Sequence, residues 1–355
     1  MRLGVSTSQI VASHKVRQVL LALACFLFPL FLTPAIAHQD GILVWTREPF
    51  FEGWGEVRSL DVARGWEGAI YYAVLSTHGI YRSSGPERAW VSVSDGLPTG
   101  SLGQVQVRAF SVDPSDPLVI YTALRSVTPG RPSLYKSESG GESWVVLAGL
   151  TDRRIHVLGV PSGHPSWVYA ATENQFYRSI DGGATWEARG GWRGSTEILC
   201  MAISFDDPDR IYLGTSGRGL LLTMDGGASW IWSLPDAQVF TLASGHQGSI
   251  VYAGTDSGLY GTDDGGVTWQ VRGEEWTGHR MYAVAVSPTD DQTLYVGIEY
   301  EGVYRSYDGG QDWIPLKRGL GNATVRTLAV DPSYPWLLYA GTNSGLWYCQ
   351  LFSLE

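Results

Sequence analysis

The side chains best suited to chemistry in this sequence are carboxylates, arginines and aromatics in segments that read as turns and loops. One set recurs in turns: Asp181, Asp225, Asp264 and Asp308 each follow a Ser or Thr by two positions and precede a Trp by five. A short Asp side chain placed this way accepts hydrogen bonds from its own turn. That is a structural task, and one carboxylate per turn does not make a cation site. A second set is spread over polar loops: Trp192, Arg193, Arg218, Asp256, Glu274, Glu275, Trp276, His279, Arg280, Glu299, Tyr300 and Glu301. Aromatic residues with arginine are the usual hot spots of interfaces, so this set is the candidate binding face. Trp276 lies outside the turn register and is its leading member. No His-x-x-x-His pair, Gly-rich phosphate loop or Gly-x-Ser-x-Gly elbow is present, so no catalytic residue, metal or cofactor is assigned.

The elements that must position these residues repeat. A branched apolar residue followed by Tyr recurs as Ile70-Tyr71, Ile120-Tyr121, Val168-Tyr169, Ile211-Tyr212, Val251-Tyr252, Leu294-Tyr295 and Leu338-Tyr339. Seven copies at such long, near-regular spacing mark a repeat architecture. Ahead of each Tyr lies an alternating segment such as Val325–Val330, then a turn rich in Pro and Asp such as Asp206-Asp207-Pro208. After it come a Gly-containing loop, a third strand and a hairpin ending in Trp. The expectation is an all-β chain: a single seven-bladed β-propeller with four-stranded blades around a channel. Blades should start near 57, 107, 155, 199, 239, 281 and 325 within a domain spanning 38–355. The seventh unit has no Trp-bearing strand of its own after Leu346-Trp347-Tyr348. The strand-like segment Gly41–Thr46, within a lead-in at 38–56, should supply it and close the ring.

The hairpins carry a family signature. Ser179–Trp186 matches Ser/Thr-x-Asp-x-Gly-x-Thr/Ser-Trp in full, and Thr223–Trp230, Thr262–Trp269 and Ser306–Trp313 are close to it. Ser137–Trp144 has Ser139 in place of the Asp, and Ser83–Trp90 keeps only its two ends. This pattern resembles the Asp-box (BNR) repeat, in which Gly tolerates positive φ. Trp144, Trp186, Trp230, Trp269 and Trp313 then fill the gaps between neighbouring sheets. Propellers of that superfamily include sialidases, xyloglucan-type endoglucanases, sortilin-like receptors and photosystem II assembly and stability factors. The resemblance implies a ligand face opposite the hairpins. The sialidase Phe/Tyr-Arg-Ile-Pro segment is missing and the blade number differs, while the endoglucanases place two carboxylates about 5 to 10 Å apart across a cleft between two propellers; their resemblance makes Asp256 a mimic of one of those acids, with no partner assigned to it. The reading is therefore a non-catalytic interaction or assembly scaffold, with a glycoside hydrolase as the alternative.

Residues 1–37 carry Arg2, Lys15 and Arg17, an apolar run from Val19 to Phe31, and Ala35-Ile36-Ala37. This is the layout of a secretory signal peptide; an uncleaved membrane anchor is the alternative. Removing it takes the net charge from -10 to -13, which disfavours a nucleic-acid partner. Cys200 and Cys349 remain, three blades apart, so they should be free thiols. An exported monomer is expected, meeting another protein or an extracellular glycan, with no membrane span after cleavage.

Overall fold

The computed structural model describes residues 43–66, 68–84, 89–100, 103–125, 133–234, 236–321 and 323–351. The expected signal peptide at 1–37, and Gly41 and Ile42 of the expected closing segment, lie outside the described residues. Seven antiparallel four-stranded sheets form a seven-bladed propeller. The inner strands are Val57–Gly65, Val107–Val112, Val157–Gly159, Ile198–Ile203, Val239–Ser244, Met281–Ser287 and Val325–Val330. Each inner strand lies beside the next, and the seventh returns to the first, so the ring is closed.

The second strands, such as Ile120–Leu124, Ile211–Thr215 and Val251–Thr255, are buried along their whole length. They therefore read as short apolar runs rather than alternating ones. The repeat tyrosines are buried here, and those of blades one to five send their hydroxyls to a carbonyl of the next blade. Tyr72 donates to Pro117 O at 2.8 Å, Tyr169 to Pro208 O at 2.9 Å and Tyr212 to Gly265 O at 3.0 Å. One such bond contributes about 1 kcal/mol, and the ring carries them blade after blade. In blade one the repeat residue is Tyr72, not Tyr71. Tyr72 pairs with Asp61 as Tyr121 pairs with Ser111 and Tyr212 with Ala202. Tyr71 points the other way, and its hydroxyl donates to Asp331 of blade seven at 2.5 Å.

The hairpins between third and fourth strands are built by their side chains. In Ser179–Trp186, Gly183 N donates to Ser179 Oγ, and Thr185 N and Ser179 Oγ donate to Asp181 Oδ1, each at 2.8 Å. The hydrogen bonds from Thr185 and Ser179 hold the Asp181 carboxyl down at about 2. Asp225, Asp264 and Asp308 make the same contacts with Thr223, Thr262 and Ser306. Ser139 replaces an aspartate and keeps the key bond, accepting from Ser143 N at 3.0 Å. Gly183 has φ 91°, and a Cβ there would sit 2.6 Å from Leu147 of the preceding blade, so the hairpin must be bare where it abuts its neighbour. The indole N–H of Trp186 donates to Gly183 O, that of Trp144 to Val93 O of blade one, and that of Trp269 to Ser233 Oγ of blade four. Trp230 and Trp313 donate to Gly227 O and Gly310 O.

Blade seven is completed by Trp45–Arg47, which pairs antiparallel with Gly345–Gln350, Trp45 opposite Cys349 and Arg47 opposite Trp347. Trp45 is buried among blade six and seven residues, including Leu316, Leu328 and Leu338. Cys200 and Cys349 are free thiols on different blades.

Candidate functional site

Strand direction sorts the loops onto two faces. The hairpins share one face with the turns after the inner strands. The opposite face gathers the loops between second and third strands and the connections between blades. All twelve residues of the expected binding face belong to segments on that second face, but they do not form one site.

Near blades three and four, Trp192 is core rather than surface: it is buried, its ring meets Trp230 edge-on at 5.6 Å, and its N–H donates to Glu173 O. An indole so enclosed cannot be an anchor for a partner. Arg218 donates to Arg193 O at 2.9 Å and lies over the Trp232 ring. Around blades five and six the remaining residues converge. Glu274, Glu275 and Trp276 form a short 3-10 turn, with both carboxylates exposed. Trp276 packs on Tyr304, ring centroids 4.5 Å apart, with His279 edge-on to it, so it is half-buried. Asp256 accepts from Gln238 N and thereby holds its own loop. Glu301 pairs with Lys317 at 2.9 Å, and that bond lowers its pKa. Tyr300 is 85% exposed with φ 62°, a left-handed position rarely taken by a bulky side chain.

Toward the axis, a feature without a sequence signature organises this face. In six blades the inner strand carries one extra residue near its start: Arg58, Arg108, Leu199, Phe240, Tyr282 and Arg326. A bulge leaves its extra residue unpaired and re-aims its side chain. Four of these touch one another or share a partner across blade boundaries and so form an arc around the channel mouth. Phe240 meets Tyr282 at 4.8 Å, Arg326 lies 4.6 Å from the Tyr282 ring, and Glu56 bridges Arg326 at 2.9 Å and Arg58 at 3.2 Å. Tyr282 also donates to Glu299 at 2.8 Å, and Arg280 stands 3.8 Å from the same carboxylate. The Tyr282 and Glu299 groups raise the pKa of Arg280. Farther round, Glu197 reaches across blade three to Arg108 at 3.1 Å. His156, beneath them, accepts from Ile198 N, and burial, then the Arg108 charge, push it down to about 4. It is therefore neutral at physiological pH.

Among the described residues no group of three His, Cys, Asp or Glu side chains could hold a metal ion, and no helix is long and apolar enough to cross a membrane.

No family model matches the chain. It is similar to the xyloglucanase of Paenibacillus sp, 24% identical over 324 residues, covering 78% of this chain and 28% of that protein. The chain spans 19% to 28% of the length of the first curated relatives it matches. Among solved structures, the GH74 xyloglucanase from Xanthomonas campestris superposes with a TM-score of 0.68 at 19% identity, over 88% of this chain and 55% of that one. YCF48 bound to D1 peptide superposes with a TM-score of 0.65 at 12% identity, over 89% and 99%. At such identities the likeness shows a shared fold.

Proposed function

We propose that this chain is an exported Asp-box propeller acting as a protein-interaction module, which binds an extended segment of a partner across the channel mouth. The arc from Phe240 through Tyr282 and Arg326 to Arg58 carries the reading. It combines aromatic faces with guanidinium donors on a rigid scaffold, the composition of interface hot spots. Its carboxylates are already engaged: Glu56 is clamped between two arginines and Glu299 is held by Tyr282 and Arg280. A general acid for glycan cleavage needs a raised pKa, whereas Glu301 beside them is lowered. The YCF48 propeller, bound to a peptide and covered almost end to end by this chain, supports the same use of the fold.

Selection of random ten-residue peptides on the folded protein tests this. Enriched peptides should carry carboxylates, and should bind Arg326→Ala and Tyr282→Ala at least tenfold more weakly. Peptides that bind both variants as they bind the parent protein would overturn it. The similarity to xyloglucanases favours a second reading, a glycan-binding or glycan-cleaving face using Asp256 and Glu299. Release of reducing ends from xyloglucan that disappears in Glu299→Ala would establish that reading instead; no release is expected.

A further inference from the structure

The other end of the channel has a different chemistry. At the downstream ends of the inner strands, on the hairpin side, lies a cavity of about 400 Å³ walled by Phe110, Leu158, Met201 and Ile203, with Phe205 half-exposed nearby. One carboxylate, Asp61, faces it. The blade register shows how unusual that is. The residue paired with each repeat tyrosine is Asp61 in blade one, but Ser111, Gly159, Ala202, Ala243, Ala285 and Ala329 in blades two to seven. Six blades thus place something small and uncharged where the first places an acid.

We propose that this half of the channel is a second binding site, for an amphipathic primary amine whose apolar body fills the cavity and whose ammonium meets Asp61. It is independent of the mouth on the opposite face. Among the described residues Asp61 takes part in no ion pair, and its only side-chain partner is the Ser59 hydroxyl at 3.3 Å. Burial pushes its carboxyl up to about 6, against the small opposing pull of that hydroxyl. A carboxylate in such surroundings is stabilised by an incoming cation. A metal ion would want several oxygen ligands, which one carboxylate and scattered serines do not supply, and an apolar wall gives a metal nothing. The volume matches a small organic ligand.

The neighbouring titratable groups are turned elsewhere. Tyr72 donates to Pro117 O, Asp113 of blade two accepts from Ser115 N in its own loop, and Asp331 of blade seven accepts from Tyr71. His246, packed on Phe205, is beside Asp291. Burial raises the Asp113 carboxyl as well, but Asp113 does not line the cavity, so a pH response of the site reports Asp61.

Titration calorimetry with n-octylamine, n-octanol and octanoate tests the proposal on the intact chain at pH 8. The amine should bind at least tenfold more tightly than the alcohol, and the acid more weakly still. Asp61→Asn should abolish the preference and Asp61→Glu should retain part of it. Should Asp61→Asn fail to fold, the unmodified protein decides: amine affinity must fall as the pH is lowered from 8 to 5, while alcohol affinity stays level. Met201→Trp, which fills the cavity, should block all three. Equal affinity for amine and alcohol, an amine affinity indifferent to Asp61→Asn and to pH, or binding unaffected by Met201→Trp would each overturn it.

Discussion

Replacing Trp45 by alanine should remove the fastening of the ring. Trp45 is 3% exposed, and its N–H donates to Leu316 O of blade six at 2.5 Å. An aromatic side chain of this kind buries roughly 150–250 Å², worth about 4–6 kcal/mol at ~25 cal/mol per Å². Alanine recovers a little of that, and truncations of buried aromatics cost about 3–5 kcal/mol. The closing strand has only three paired residues to offset the loss. A decrease of about 4 kcal/mol is therefore expected, a large part of the roughly 5–15 kcal/mol that holds a folded chain together. Guanidinium unfolding followed by tryptophan emission measures it. The variant should also self-associate at high concentration in gel filtration, because the released strand leaves Gly345–Gln350 as an open sheet edge. A loss below about 1 kcal/mol, with the elution volume unchanged, would refute the idea that this strand bears the closure.

Acid should weaken the protein over a defined window. The folded pKa values of Asp181 and Asp225 are depressed to about 2 from an ordinary 3.8, so their contribution is present above pH 4 and lost as pH falls toward 2; the melting temperature should trace this, with a shallower fall in Asp181→Asn. Ser179→Ala leaves the buried Gly183 N–H without its acceptor, and should cost about 1–3 kcal/mol in denaturant unfolding. Asp61 has the opposite sign: its folded pKa is raised to about 6, so the folded state binds that proton more tightly and stability declines as pH rises through 6. Asp61→Asn should therefore stabilise the chain at pH 8, by at most about 3 kcal/mol, and do little at pH 4. A variant equally stable relative to the parent at both values would contradict the burial of that charge.

The blade count, the hairpins and the closing segment could be read from the sequence because each rests on local chemistry repeated many times. A Ser/Thr-x-Asp turn looks the same wherever it occurs, and seven tyrosines in step leave little freedom. Where two tyrosines stand together, as at Tyr71 and Tyr72, the pattern slips by one, and only the strand pairing shows which of them is the repeat residue. Trp192 and Trp276 both read as loop tryptophans of a binding face, with Trp276 the leading one; one is core and the other half-buried, because burial depends on what the adjoining blade brings up. The arc of Arg58, Phe240, Tyr282 and Arg326 was invisible, since a one-residue bulge carries no glycine or proline to announce it. The isolation of Asp61 likewise emerges only after seven strands are laid in register.

The pairing at the seam has a temporal side. Trp45 leaves the ribosome long before Leu316, its partner 271 residues later. Six blades can collapse in order of synthesis while the first strand waits unpaired, so final docking is a long-range event reserved for the end of folding. A nascent chain arrested before blade seven should hold those six sheets yet still present Trp45 to a protease, and resistance there should arrive in a single late step.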